Sequence, residues 1–272
     1  MDKLSQEIGG ASQEIAGLRQ EIEKLITETA GSHSIYLKDL KTGKELAIAA
    51  DQEMAAASLI KIPILYTLYD LEAKGKLDLN TTLKPDDSSI VGGAGVLNWF
   101  KARPELTILD LAELMIVISD NTATNILIDY LGFKAVNQYL EAKGFKVTRL
   151  KRKMMDFEAR KAGSENISTA REIGRLMEFI YKQQGLRRAK ATLCRQQFRD
   201  KLSYLLPDNS WDSIASKTGM LTGIEHDASL FFKPWPAVAV TMSKELDSQA
   251  EGRLLQAKIG KKIYQYLEKK GG

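Results

Sequence analysis

Apolar residues recur in the first segment at spacings alternating between four and three: Leu4, Ile8, Ala11, Ile15, Leu18, Ile22 and Leu25. Gln and Glu fill most positions between them, so the segment predicts an amphipathic helix of about three heptads. Such a stripe either packs on the domain that follows or serves as a self-associating or membrane-tethering stalk. A helix this short takes most of its stability from its packing partner, which favours the first use.

After Gly31 the period changes. SHSIYLKDLKTGKELAIAA reads as two strand-type runs around the turn Lys41-Thr42-Gly43, a hairpin pattern. From residue 56 to about 203 the pattern is mainly helical, with apolar periodicity over 61–74, 107–118, 122–131, 134–143 and 168–184. Gly- and Pro-marked links such as IVGGAG and ARPEL separate these patches. The tail returns to strands in ASLFFKPWPAVAVTMSKEL, interrupted by Pro234 and Pro236, and closes in a helix over 248–269.

Strands at both ends and helices between them predict an α+β fold. The N-terminal strands pair with the C-terminal ones in an antiparallel sheet, and a helical lobe is inserted between. In residue terms, 1–30 is the N-terminal amphipathic helix, 31–55 with 204–272 the sheet lobe, and 56–203 the helical lobe. Two lobes of one catalytic domain then enclose a cleft.

Composition narrows the choice of function. The 272 residues are 44% apolar, enough for a large core, and 39 basic against 35 acidic residues are spread without a basic block, which argues against nucleic-acid binding. One cysteine, Cys194, and two histidines, His33 and His226, leave no disulfide framework and point to no metal and no cofactor. No run of about 18 apolar residues is present, and MDKLSQEIGG lacks a signal-peptide core. Either the protein is cytosolic, or an export or anchor segment is absent from this chain.

The chemistry concentrates in three short stretches. In AAASLIKIPI, Ser58 and Lys61 are three residues apart and share a helical face inside an apolar run. An amine held in an apolar wall loses hydration, its pKa falls, and its neutral form can take a serine proton. The plain reading of the same residues is a helix-start serine with a snorkelling lysine. Ser119-Asp120-Asn121 precedes the helix NTATNILIDYLG; each residue is a good N-cap, and a loop so held can also aim Ser119 and Asn121 across a cleft. Lys-Thr-Gly occurs at 41–43, where it is a hairpin turn, and at 217–219 in the strand-rich tail. There Lys217, Thr218 and Gly219 suit a strand edge that receives an extended substrate with a carboxylate.

S-x-x-K, S-D-N and K-T-G in this order resemble the penicillin-recognising serine enzymes, specifically class A β-lactamases and their low-molecular-weight penicillin-binding relatives. The likeness extends over about residues 20–270, from TGKELAIAADQEMAAASLIKIPIL to VAVTMSKEL. It implies a five-stranded antiparallel sheet flanked by terminal helices, with no cofactor and a monomer acting in the periplasm or at the cell surface. Its substrates are β-lactams or D-Ala-D-Ala peptides. By resemblance, Ser58 is the acylated nucleophile, Lys61 its base and Ser119 the proton donor to the leaving nitrogen. Asn121 holds the substrate amide, Lys217 and Thr218 hold the carboxylate, and the backbone N–H groups of Ser58 and Met220 form the oxyanion hole.

The resemblance breaks at one position. In KVTRLKRKMMDFEARKAGSENISTARE the family pattern, aligned on V-T-R-L, Arg152 and the later N-x-S-T, puts Met154 where a glutamate normally activates the deacylating water. A thioether cannot accept a proton at neutral pH. This implies an acyl-enzyme slow to hydrolyse, as in penicillin-binding peptidases, unless Asp156 or Glu158 reaches the water from a shifted loop. For the carboxylate side, only His226 and Lys244 stand where the family often has an arginine, and His226 reads more simply as a strand-surface residue. The rival to an enzyme is a non-catalytic cell-wall-binding or sensor module.

Overall fold

The computed structural model describes residues 3–271, with side chains from residue 13 onward. Five antiparallel strands form the central sheet: β1 (Ser32–Asp39), β2 (Glu45–Ile48), β3 (Ile214–Leu221), β4 (Ile224–Phe231) and β5 (Ala237–Lys244), in the order β2-β1-β5-β4-β3. The N-terminal hairpin therefore joins the tail, with β1 paired to β5 along its whole length from Ser32↔Lys244 to Asp39↔Ala237. Lys41-Thr42-Gly43 is the hairpin turn expected, its first two N–H groups donating to Asp39 Oδ1.

Both faces of the sheet are covered, which is why β5, AVAVTMSK, reads as a nearly continuous apolar run. Tyr36, Leu230, Val238 and Val240 join the core under the helical lobe, while the alternate residues Ile35, Leu37, Phe231 and Ala239 join a second core beneath the terminal helices. Those are α1 (Lys3–Thr27) and α9 (Gln249–Gly271). Leu18 and Ile22 of the heptad stripe are buried in the second core, with Ile15 and Leu25 packed against it. From residue 13 on, the stripe thus faces its own domain. The side chains of Leu4, Ile8 and Ala11 lie outside the described residues.

The helical lobe contains α2 (Lys61–Ala73), α3 (Ile108–Val117), α4 (Asn121–Leu131), α5 (Phe133–Ala142), α6 (Phe157–Lys161), α7 (Ala170–Lys182) and α8 (Arg187–Cys194). α2 runs through its middle, buried from Lys61 through Asp70. A helix apolar all round is a core helix, and a lysine at its first position therefore has nowhere to snorkel. α8 has no counterpart among the periodic patches: its eight residues, RRAKATLC, carry only Ala189, Thr192 and Leu193 inward.

α9 approaches the 195–206 segment so closely that a Cβ at Gly260 would lie 1.9 Å from the Leu202 carbonyl oxygen. That contact is backbone and cannot step aside. Gly260→Ala is therefore expected to destabilise the fold by about 1–3 kcal/mol, read as a lower thermal midpoint. An unchanged midpoint would show that the two segments separate freely.

Candidate active site

The chain reaches Ser58 from a short bridge pairing Met54–Ala55 with Ile167–Ser168. Ala57 then adopts φ +46°, sparsely populated for a residue with a side chain, and opens a 3₁₀ turn over Ala57–Ile60. In a 3₁₀ turn, residues three apart eclipse one another, which aligns Ser58 with Lys61 at the start of α2. Ser58 is half-buried and opens onto a cleft of about 440 Å³ between the lobes. Lys61 is completely buried. Its Nζ donates to the Ser119 carbonyl (2.6 Å), Ser119 Oγ (3.0 Å) and Asn121 Oδ1 (2.9 Å), so its hydrogen bonds run across the cleft to S-D-N.

S-D-N divides between the two readings its sequence allows. Asp120 is the N-cap of α4, accepting from Ala123 N (2.9 Å), and its other oxygen accepts from Val96 N (2.6 Å) and Leu97 N (2.9 Å). It ties the chain just after IVGGAG to the helix. Ser119, at φ +57°, and Asn121 are turned instead toward Lys61, and Asn121 Nδ2 donates to Gly92 O (3.1 Å).

K-T-G of β3 closes the other side. Gly219 lets the strand lie against the Ala57–Ile60 turn, since a Cβ there would meet Leu59 N at 3.3 Å. Thr218 and Met220 line the cleft. Lys217 does not present its amine at the strand edge as expected. It is completely buried, donating to Ser119 Oγ (3.0 Å) and the Thr218 carbonyl (2.7 Å). His226, opposite Gly219 on β4, is likewise buried rather than on the strand surface. With Nε2 protonated it donates to Ala55 O (2.9 Å), and Nδ1 accepts from Ser243 N (3.1 Å), so it fastens the sheet to the chain entering Ser58. Burial lowers its pKa to about 4 and keeps the ring neutral. Lys244 pairs with Glu245 at 3.3 Å.

Charge at the site follows from burial. Desolvation lowers the Lys61 pKa to about 7, against the opposing pull of Asp120. Lys217 is pushed well below its ordinary value by burial, then by Lys61 and Lys201. Two desolvated amines that meet at one hydroxyl do not both stay charged, and they titrate as a pair. Ser119 Oγ, 3.0 Å from each Nζ, can accept from the charged one while donating its own proton to the neutral one.

The segment 152–166 forms the remaining wall, through Arg152, Met154, Met155 and Asn166. Met154 is buried, and Asn125 grips its main chain from both ends: Met154 N donates to Oδ1 (2.7 Å) and Nδ2 donates to Met154 O (3.2 Å). The polar neighbours are occupied. Arg152 pairs with Glu165 (2.7 Å), and Asn166 Oδ1 accepts from Lys151 N and Arg152 N while its Nδ2 donates to Arg152 O. Asp156 and Glu158, the alternative bases, are not brought to the cleft. Asp156 caps α6 by accepting from Ala159 N (2.9 Å), and Glu158 pairs with Lys161 in solvent, its side chain 84% exposed.

The profile of the Beta-lactamase enzyme family matches residues 17–267. The chain belongs to the beta-lactamase enzyme family. Its fold is similar to that of a PBP-A mutant solved as an acyl-enzyme complex with penicillin G: TM-score 0.85, 29% identity, 93% of this chain and 97% of that one covered. A β-lactamase of Streptomyces albus G is 27% identical over 232 residues, 79% of this chain and 73% of that protein. The β-lactamase regulatory protein BlaB of Streptomyces cacaoi is 28% identical over 125 residues, 45% of this chain. The chain covers only 40% of BlaB's length. By family and fold this is a class A β-lactamase-like serine hydrolase.

Within this β-lactamase-family cleft several lining residues escape motif reading: Met155, Phe198, Asp200 and Lys201. Lys201 is the least expected, a buried cation donating to Gly219 O (2.8 Å) and His226 O (3.0 Å) and paired with buried Glu225 (2.6 Å). Sequence offered one usable sign, the glycine-rich run IVGGAG, of which Gly93 and the next residue, Ala94, line the cleft.

Proposed function

We propose that the chain forms a Ser58 acyl-enzyme with β-lactams or D-Ala-D-Ala-type peptides and releases the acyl group slowly, in the manner of penicillin-binding peptidases. The observation that carries this is a buried Lys61, its pKa lowered to about 7 by desolvation, linked through Ser119 to Lys217 and facing a 152–166 wall that lines the cleft with Met154 and Met155 and with no carboxylate.

Ser58 Oγ attacks the carbonyl carbon and its proton passes to neutral Lys61. The oxyanion lies between the backbone N–H groups of Ser58 and Met220, donors whose loss typically slows such reactions on the order of 10²–10³-fold. The C–N bond then breaks, the nitrogen takes the Ser119 hydroxyl proton, and Lys61 restores it. Asn121 holds the amide of the acyl group and Thr218 the substrate carboxylate. Lys217 acts from behind Thr218: a bound carboxylate favours its charged form, and that charge favours neutral Lys61, the reactive state. A module that only bound cell-wall fragments would have no use for a desolvated amine beside an accessible serine.

Release requires water and a base. Met154 supplies none, Arg152 and Asn166 have their polar groups engaged, Asp156 and Glu158 point elsewhere, and Asp200, the carboxylate that lines the cleft, is exposed and paired with Arg253 at 3.6 Å. The substrates named here also imply work at or outside the cell membrane. Among the described residues no helix is long and apolar enough to cross one. An intact-mass time course with benzylpenicillin is expected to show one penicilloyl group per chain that outlasts removal of free drug. No adduct, or fast turnover of a chromogenic cephalosporin without one, would overturn the proposal.

A further inference from the structure

The wall beside Asn121 is made of thioethers. A Cβ added to Gly93 would lie 2.7 Å from Asn121 Nδ2 and 3.1 Å from Met155 Sδ, so amide, loop backbone and Met155 side chain converge on one place. Met155 reaches it at φ +62°, which a side-chain-bearing residue holds only where its surroundings impose it. Met154 lies next to it, its backbone clamped by Asn125. The polar members of the same wall, Arg152 and Asn166, are engaged with Glu165 and with main chain. Of the two charged residues that line the cleft from the 195–206 segment, Lys201 is held in a buried pair with Glu225 (2.6 Å), and Asp200 is exposed, with Arg253 3.6 Å away.

We propose that Met154 and Met155 form the subsite for the substituent on the acyl group and select acyl donors whose substituent is uncharged and apolar, aromatic or aliphatic. The inference rests on the acylation reading above and deepens it. A charged substituent would be desolvated against the two thioethers with no partner from the 152–166 wall, whereas an apolar one gains burial. Two unbranched thioether side chains can also reshape around rings and make sulfur–aromatic contacts.

The test compares acylation rate constants, by intact mass, for three penicillins: one with a phenylacetyl side chain, one with a zwitterionic α-aminoadipyl side chain, and 6-aminopenicillanic acid with no acyl side chain. The phenylacetyl compound is expected to react faster than the aminoadipyl compound on the order of 10- to 100-fold. Met155→Asn, whose side chain tolerates a left-handed backbone, is expected to bring that ratio to within about five-fold of unity. Equal rates in the native protein, or a ratio unmoved by Met155→Asn, would overturn the subsite while leaving acylation intact. Labelling by none of the three would overturn the acylation reading and the subsite with it.

Discussion

Ser58→Ala is expected to take up no penicilloyl group, and Lys61→Met to take it up on the order of 10²–10⁴-fold more slowly than the native protein. The first result assigns the adduct to the one serine that opens the cleft at the nucleophile turn. The second follows from what burial does to Lys61. With a pKa of about 7 its neutral form is abundant at physiological pH, where an exposed lysine would be almost entirely charged. The sign of the pH dependence is fixed by that direction. Below the pKa the amine is protonated and cannot take the Ser58 proton, so the acylation rate should rise with unit slope up to about pH 7 and level above it. At two pH units below the break the rate should be about 100-fold lower. Lys217 shares a hydroxyl with Lys61, so the break reports the pair. Lys61→Met should abolish it. A native-like rate or an unchanged pH profile in that variant would exclude Lys61 as the base.

Met154→Glu is expected to shorten the lifetime of the penicilloyl adduct on the order of 10²–10⁴-fold, the usual contribution of a positioned general base. The substitution is favourable in place because Asn125 holds Met154 by its backbone, so the main chain has no need to move when the side chain changes. It places a carboxylate on the wall that faces Ser58, where a water can be activated against the ester. The decay of the adduct after removal of free penicillin measures this directly. If the lifetime is unchanged in a folded variant, the obstacle to release is the exclusion of water by Met155 and the loop rather than a missing base. Conversion of Asp156 or Glu158 to Ala should leave the native lifetime unaltered, since one caps a helix and the other pairs with Lys161 in solvent.

Much of the fold was legible because its signals are local. The helical periods over 61–74, 107–118 and 122–131 became α2, α3 and α4 within a residue or two, and Lys41-Thr42-Gly43 became the turn its flanks require. α8 was not legible, because a short helix with three inward residues has too little period to detect. Nor were the roles inside S-D-N: capping propensity is the same for Asp120 and Asn121, and only the N–H groups of Val96 and Leu97, just after IVGGAG, make Asp120 the structural member. His226 reads as a strand-surface residue from its polarity alone, yet it is buried. The sheet is in fact covered on both faces.

What the sequence by itself determined is the order and identity of the motif residues: Ser58 with Lys61, Ser119 with Asn121, Lys217 with Thr218, and a methionine, Met154, in the loop where the family resemblance leads one to expect a glutamate. Motifs are written in neighbouring residues, and neighbours stay neighbours in any fold. What only the tertiary structure decided is the state of those groups. Lys61 and Lys217, separated from Ser119 by 58 and 98 residues, meet at its hydroxyl with both amines buried behind the cleft. Their proton affinities are set by desolvation and by each other, quantities that exist only once the two lobes have packed together.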